Sequence, residues 1–141
     1  MDSETMAGLV AGTVGMIFFA IWLVVIIFYL LTLQKALTRV REDRRAMSPG
    51  LVWLNLIPLF NLGWHIYTVI KVSESLAQEF DARQIKHDGK PGFAIGLAAS
   101  ILFITAIIPL LGMFLALAGI VCGIIYWVQI SGFSSKIATP A

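Results

Sequence analysis

From Ala7 to Leu33 the chain carries no charged residue, and this run restricts the possible fold more than any other feature. A transmembrane helix needs about 20 apolar residues, so the run is long enough to cross a bilayer with length left for tilt. Composition argues against a soluble core. Hydrophobic residues make up 59% of the 141-residue chain and charged residues 13%, with a mean hydropathy of +0.90. Soluble domains hold about 45–50% apolar and about 25% charged residues, and a chain this short has too little interior to hide the excess from water. The residues ahead of the run include Asp2 and Glu4 and no lysine or arginine. The run also exceeds the ~7–15 apolar residues of a signal-peptide core. It is therefore expected to be a retained membrane anchor.

Beyond Leu33 the segment through Ala46 consists mostly of good helix formers without Gly or Pro. This predicts that the 7–33 transmembrane helix extends to about residue 46, supported by an i,i+4 pair of Arg39 and Asp43. Ser48-Pro49 then reads as an N-cap followed by proline at the first helical position.

Residues 50–70 are apolar but interrupted by Pro58, Asn61 and Gly63. Split there, each arm reaches roughly 15 Å of helix, about half a bilayer. The preferred expectation is a re-entrant or interfacial helical hairpin, with a kinked full span as the alternative. Val69, Val72, Leu76 and Phe80 then recur at helical spacing among polar residues. They predict an amphipathic surface helix over 72–85, continuing the second arm and carrying a Glu79–Arg83 pair at i,i+4. Lys86 to Gly92 is a loop. Phe93 to Ile130 is again free of charge. Broken at Pro109–Gly112, it predicts a transmembrane hairpin of 93–108 and 112–130. The expected fold is thus an all-α integral membrane protein within one membrane domain, 1–141.

All ten lysines and arginines fall on one side of a membrane if 50–70 dips and returns. Lys35, Arg39, Arg41, Arg44 and Arg45 precede the hairpin, four follow it in 71–92, and Lys136 lies in the tail. A full span would separate them. The positive-inside rule then places the N-terminus outside and the C-terminus in the cytoplasm.

The two hairpins resemble each other. Each begins Pro-Gly (49–50 and 91–92), turns at Ile-Pro-Leu (57–59 and 108–110), and leaves through Ile-Tyr-x-Val (66–69 and 125–128). A duplicated hairpin unit is the simple reading, with chance similarity between apolar segments as its competitor.

The segment from Pro49 to Leu62, with its Trp53-x-x-x-Ile57-Pro58-x-x-Asn61-Leu62 pattern, resembles a group of small uncharacterised bacterial multi-pass inner-membrane proteins. The likeness covers roughly residues 40–135. It implies a bacterial inner (cytoplasmic) membrane and a multi-pass helical fold, and it transfers no catalytic residues.

The sequence offers no catalytic, cofactor or metal constellation, so a non-enzymatic protein is expected. Cys122 lies in an apolar run and reads as a packing residue. Asn55, Asn61 and His65 form a possible polar or ligand site, because polar groups at membrane depth are costly unless paired and often functional. The competing reading makes Asn61 a helix cap, Asn55 a partner for backbone freed by Pro58, and His65 a headgroup-level residue.

Small residues recur at helix-packing spacing along three stripes: Ala7, Gly8, Ala11, Gly12 and Gly15; Gly92, Gly96 and Ser100; Gly119 and Gly123. Such stripes let helices approach closely in lipid. The first is the best candidate for contact with a neighbouring subunit. The basic residues Lys35, Arg39, Arg41, Arg44 and Arg45 are expected to fix orientation or contact anionic lipid headgroups. The aromatic residues Trp53, Trp64, Tyr67, Tyr126 and Trp127 fit an interfacial belt.

These features predict a membrane-embedded accessory or scaffold subunit, partnered by anionic lipid and by itself or a larger complex, with no nucleic acid. The alternative is a small oligomeric channel or transporter with the hairpin near its pathway.

Overall fold

The computed structural model describes residues 1–139, and among these the chain is all helical with no strand. Four α-helices follow one another: α1 (Ser3–Arg39), α2 (Phe60–Ala82), α3 (Phe93–Thr105) and α4 (Gly112–Lys136). A 3₁₀ turn at Glu42–Arg44 and a 3₁₀ helix at Pro49–Leu56 lie between α1 and α2. Both α1 and α4 are long and apolar enough to cross a membrane, with only 6% and 17% of their most apolar windows buried. A helix in a soluble core would have that surface covered.

The chain divides into two compact units, Met1–Leu31 and the remainder from Thr32, with α1 continuous through the boundary. The first unit is helix alone. Its cap is formed by Asp2, whose carboxylate accepts from the Thr5 backbone N–H at 2.9 Å. Apolar side chains such as Leu9, Phe18, Phe19 and Trp22 are exposed around it. Adding a Cβ at Gly8, Gly12 or Gly15 would meet nothing within 4 Å.

The second unit has a true core. The end of α1 contributes Leu33 and Leu37, Val40 follows it directly, α2 contributes Val69, Val72, Leu76 and Phe80, and α4 contributes Tyr126 and Ile130, all buried. The apolar stripe predicted for 72–85 is therefore covered by protein rather than left to rest on a membrane surface. Ile85, off the stripe, is half-buried outside the helix.

Several expected boundaries move. α1 stops at Arg39 instead of reaching 46, because Arg45 folds back onto its end. The Arg45 guanidinium donates to the carbonyls of Leu37 (2.7 Å), Thr38 (2.8 Å) and Val40 (2.8 Å). These are acceptors that a helix C-terminus leaves unsatisfied. The expected Arg39–Asp43 pair does not form: Asp43 pairs with Arg41 at 3.3 Å, and Arg39 turns to Ser134.

The 50–70 segment is indeed broken, though earlier than expected. Leu59 has φ 64 and ψ −46, and the Phe60 N–H bonds the Pro58 carbonyl at 2.7 Å, the i→i+2 bond of a strained γ-turn. Asn61 and Gly63, predicted to help break the chain, lie inside α2. That helix continues without interruption through the second arm and the amphipathic stretch. In the last hairpin α3 ends at Thr105 rather than 108, and Leu110 in its turn has φ 72. Both Ile-Pro-Leu segments of the near-repeat thus place leucine at positive φ, where β-carbon sterics disfavour it. Both leucines, Leu59 and Leu110, are almost fully exposed. Gly112 opens α4 where a Cβ would run into the Ala106 carbonyl oxygen, so this turn requires glycine.

Gly96 shows how α2, α3 and α4 meet. A Cβ there would stand 2.7 Å from the Tyr126 ring and 2.8 Å from Val69. Gly96→Ala should lower the melting temperature in detergent, with overpacking costing about 1–3 kcal/mol. Gly132→Ala, on the same α4 that carries Tyr126 but with open space around it, should leave it unchanged or raise it, since alanine is the better helix former. Equal effects at the two positions would contradict this packing.

Candidate functional site

The polar trio predicted within 50–70 is dispersed among separate partners. Asn55 is buried. Its Nδ2 donates to the Val52 carbonyl at 2.8 Å and to Thr68 Oγ1 at 3.0 Å. Thr68 in turn donates to the Trp64 carbonyl, so its hydroxyl is free to accept from Asn55. The Asn55 side chain thereby ties the 3₁₀ helix to α2; its Oδ1 is buried without a hydrogen bond. His65 faces α3 instead, with Nδ1 at 2.7 Å from Ser100 Oγ. Because Ser100 donates its one proton to the Gly96 carbonyl at 2.9 Å, we assign the Nδ1–H of His65 as donor. Asn61 sits half-buried in the first turn of α2, and Leu59, not Asn61, occupies the cap position.

The small-residue stripes divide in the same way. Gly92, Gly96 and Gly119 are in close contact inside the second unit, with Tyr126, with Val69 or Ile130, and with Leu102 and Phe103. A Cβ added at Gly123 would stand 3.6 Å from the Phe103 ring, and Ser100 is buried. The stripe of Ala7, Gly8, Ala11, Gly12 and Gly15 is exposed along the helix of the first unit. The tryptophans of the second unit donate inwards: Trp53 to Gln34 Oε1, Trp64 to the Leu51 carbonyl, and Trp127 to Thr32 Oγ1. Cys122 is half-buried on α4.

The densest polar assembly is built around the Glu79–Arg83 pair that the helical spacing predicts, and it draws in residues the spacing does not connect. Glu79 has no exposed surface. One carboxylate oxygen accepts from Arg83 Nε at 2.7 Å. The other accepts from Arg44 Nη1 at 3.2 Å and from the Arg41 backbone N–H at 3.3 Å. Arg83 extends the network to the Thr139 carbonyl, and Arg39 Nη1 donates to the Ser134 carbonyl (3.0 Å) and hydroxyl (2.9 Å). Three stretches of chain converge there: the loop after α1, the second half of α2, and the end of α4. Burial pushes the Glu79 carboxyl upward, but the bonds from Arg83, Arg41 and Arg44 outweigh it and hold the group below the usual carboxylate range. The sequence did carry a signal. Glu79 is three residues beyond Leu76 and seven beyond Val72, so it lies on the apolar stripe itself.

Of the basic residues expected at headgroups, Arg44 and Arg45 are largely used inside the protein. Lys35 and Arg41 are exposed and Arg39 is half-buried. Beside this network lies an open depression of about 410 Å³ lined by Arg39, Arg41, Glu42, Arg45 and Arg83, among others. Among the described residues, no three of His, Cys, Asp or Glu converge in a way that would hold a metal ion. No family model, curated protein or solved structure matches the chain.

Glu79 makes stability depend on acid. Its folded pKa is depressed, so its contribution is complete above the unfolded value of about 4.5 and is lost as pH falls through the folded value. Glu79→Gln should lower stability near neutral pH by about 2 kcal/mol or more, because Arg44 and Arg83 lose their countercharge in a poorly solvated place. It should also flatten the loss of stability below about pH 4.5 relative to the parent protein. Unfolding curves in detergent at pH 7 and across the acid range measure both; an unchanged acid limb would exclude this role.

Proposed function

We propose that the chain is a non-enzymatic accessory or scaffold subunit embedded in a bacterial cytoplasmic membrane, multi-pass, with the N-terminus outside and the C-terminus in the cytoplasm. In this reading α1 and the α3–α4 hairpin lie in lipid, and the 3₁₀ helix with the start of α2 forms the re-entrant hairpin. The N-terminal half of α1 is the docking element, either for a second copy or for a larger membrane complex.

The supporting observation is the contrast among the three small-residue stripes. Those on α3 and α4 are closed off by neighbouring side chains, whereas a Cβ added at Gly8, Gly12 or Gly15 would meet nothing within 4 Å. Close helix approach in lipid gains dispersion contacts that larger residues prevent, and an unfilled stripe on an apolar helix suits that use. The channel alternative has less support. Asn55 and His65, which would line its pathway, are engaged with Thr68 and Ser100, while pore-lining polar groups face an aqueous cavity.

Gly8→Ile with Gly12→Ile should reduce the particle size of the protein extracted in mild detergent, or release its partner in a pull-down. The second unit should keep its melting temperature. Unchanged assembly would overturn the proposal.

A further inference from the structure

We propose that the depression at the ends of α1 and α4 binds a phosphate group, with the headgroup of an anionic phospholipid as its source. The inference rests on the membrane placement given above and adds a ligand to it.

Around the depression stand Arg39, Arg41, Arg44, Arg45 and Arg83 against three carboxylates, Glu42, Asp43 and Glu79. Glu79 is committed to Arg44 and Arg83. Glu42 is 91% exposed and 3.8 Å from Arg45, and the Arg41–Asp43 pair is more than half exposed on both sides. Exposed pairs of that kind contribute little. Arg39 pairs with no carboxylate among the described residues.

The donors are also held in place. Arg39 is fixed through Nη1 to Ser134, which leaves the Nε and Nη2 protons of its planar fork to serve a second acceptor. Arg45 is locked against the end of α1, and Arg83 against Glu79 and Thr139. Both line the same depression, so they supply fixed positive potential without further ordering. A guanidinium fork matches phosphate oxygens in a two-pronged geometry that an ammonium cannot reproduce. Arg39 and Arg41 are the two lining forks committed neither to Glu79 nor to the end of α1.

Placement selects the source. Arg39 lies six residues past Leu33, the end of the charge-free run, which is about 9 Å of helix. That reaches the outer edge of the headgroup layer, which adds about 5–7 Å to each side of a hydrocarbon core about 30 Å thick. The positive potential there also attracts anionic lipid over zwitterionic lipid.

The test uses the full chain purified in mild non-ionic detergent. Retention of phosphatidylglycerol against phosphatidylcholine is measured by native mass spectrometry, with inorganic phosphate as a separate arm. The parent protein should retain phosphatidylglycerol preferentially. Arg41→Gln, which removes only an exposed ion pair, and Arg39→Lys, which keeps the charge and loses the fork, should each weaken that retention on the order of tenfold. Lys86→Gln, exposed and outside the depression, should leave it unchanged.

Phosphate binding abolished by Arg41→Gln, with no preference among lipids, would keep the phosphate site and overturn the lipid source. Equal retention of both lipids with no phosphate binding would overturn the site. So would a loss from Lys86→Gln matching that from Arg41→Gln, which would mean diffuse attraction. The Gly8/Gly12 variant should retain lipid normally, so a failure of the assembly reading is separable from a failure here.

Discussion

Glu79 has no exposed surface and accepts from two guanidiniums and one backbone N–H, and the arrangement of the second unit depends on that convergence. Removing a carboxylate from water is expensive unless its oxygens are fully bonded. The arginines that satisfy it come from the loop after α1 and from the C-cap of α2. Satisfying Glu79 therefore fixes where that loop runs, and Arg83 carries the constraint on to the end of the chain through Thr139. A hydrophobic residue at this position could pack as well, but it would give no preference for one course of the loop over another.

The basic segment 35–45 has several tasks that its composition does not separate. Arg45 ends α1 by taking up its last carbonyls, Arg44 balances Glu79, and Arg39 anchors to Ser134. In a bilayer the same charges would also favour the cytoplasmic side. These roles are compatible, because satisfying a helix terminus neutralises backbone dipole while leaving the formal positive charge in place. The depression keeps that surplus charge on an end of the helices.

Much of the fold was legible from residue order. The break at Pro109–Gly112, the start at Pro49 and the loop 86–92 all follow from local backbone chemistry: helices begin at Pro49, Phe93 and Gly112, although α2 and α3 already end at Ala82 and Thr105. The shared Ile-Pro-Leu pattern even marked two turns with the same unusual leucine conformation. Less legible was the length of α1. Good helix formers continue past Arg39, and only a contact made by Arg45 after the chain turns back explains the stop. Asn61 and Gly63 misled in the opposite direction. Each disfavours helix modestly, and α2 absorbs that penalty because its later turns are buried.

By itself the sequence determined the helical class, two of the three segments it marked as able to cross a membrane (the third, α3, is a shorter apolar helix of 13 residues), and the places where proline and glycine interrupt the chain. These are properties of local backbone geometry and of apolar run length, which need no partner. Tertiary structure decided what each polar group does. Whether Glu79 is solvated or buried, whether Asn55 and His65 meet a ligand or Thr68 and Ser100, and whether a glycine stripe is filled or open depend on which segments come together. Helical periodicity places a residue on a face. Which neighbour covers that face is set only when the whole chain packs.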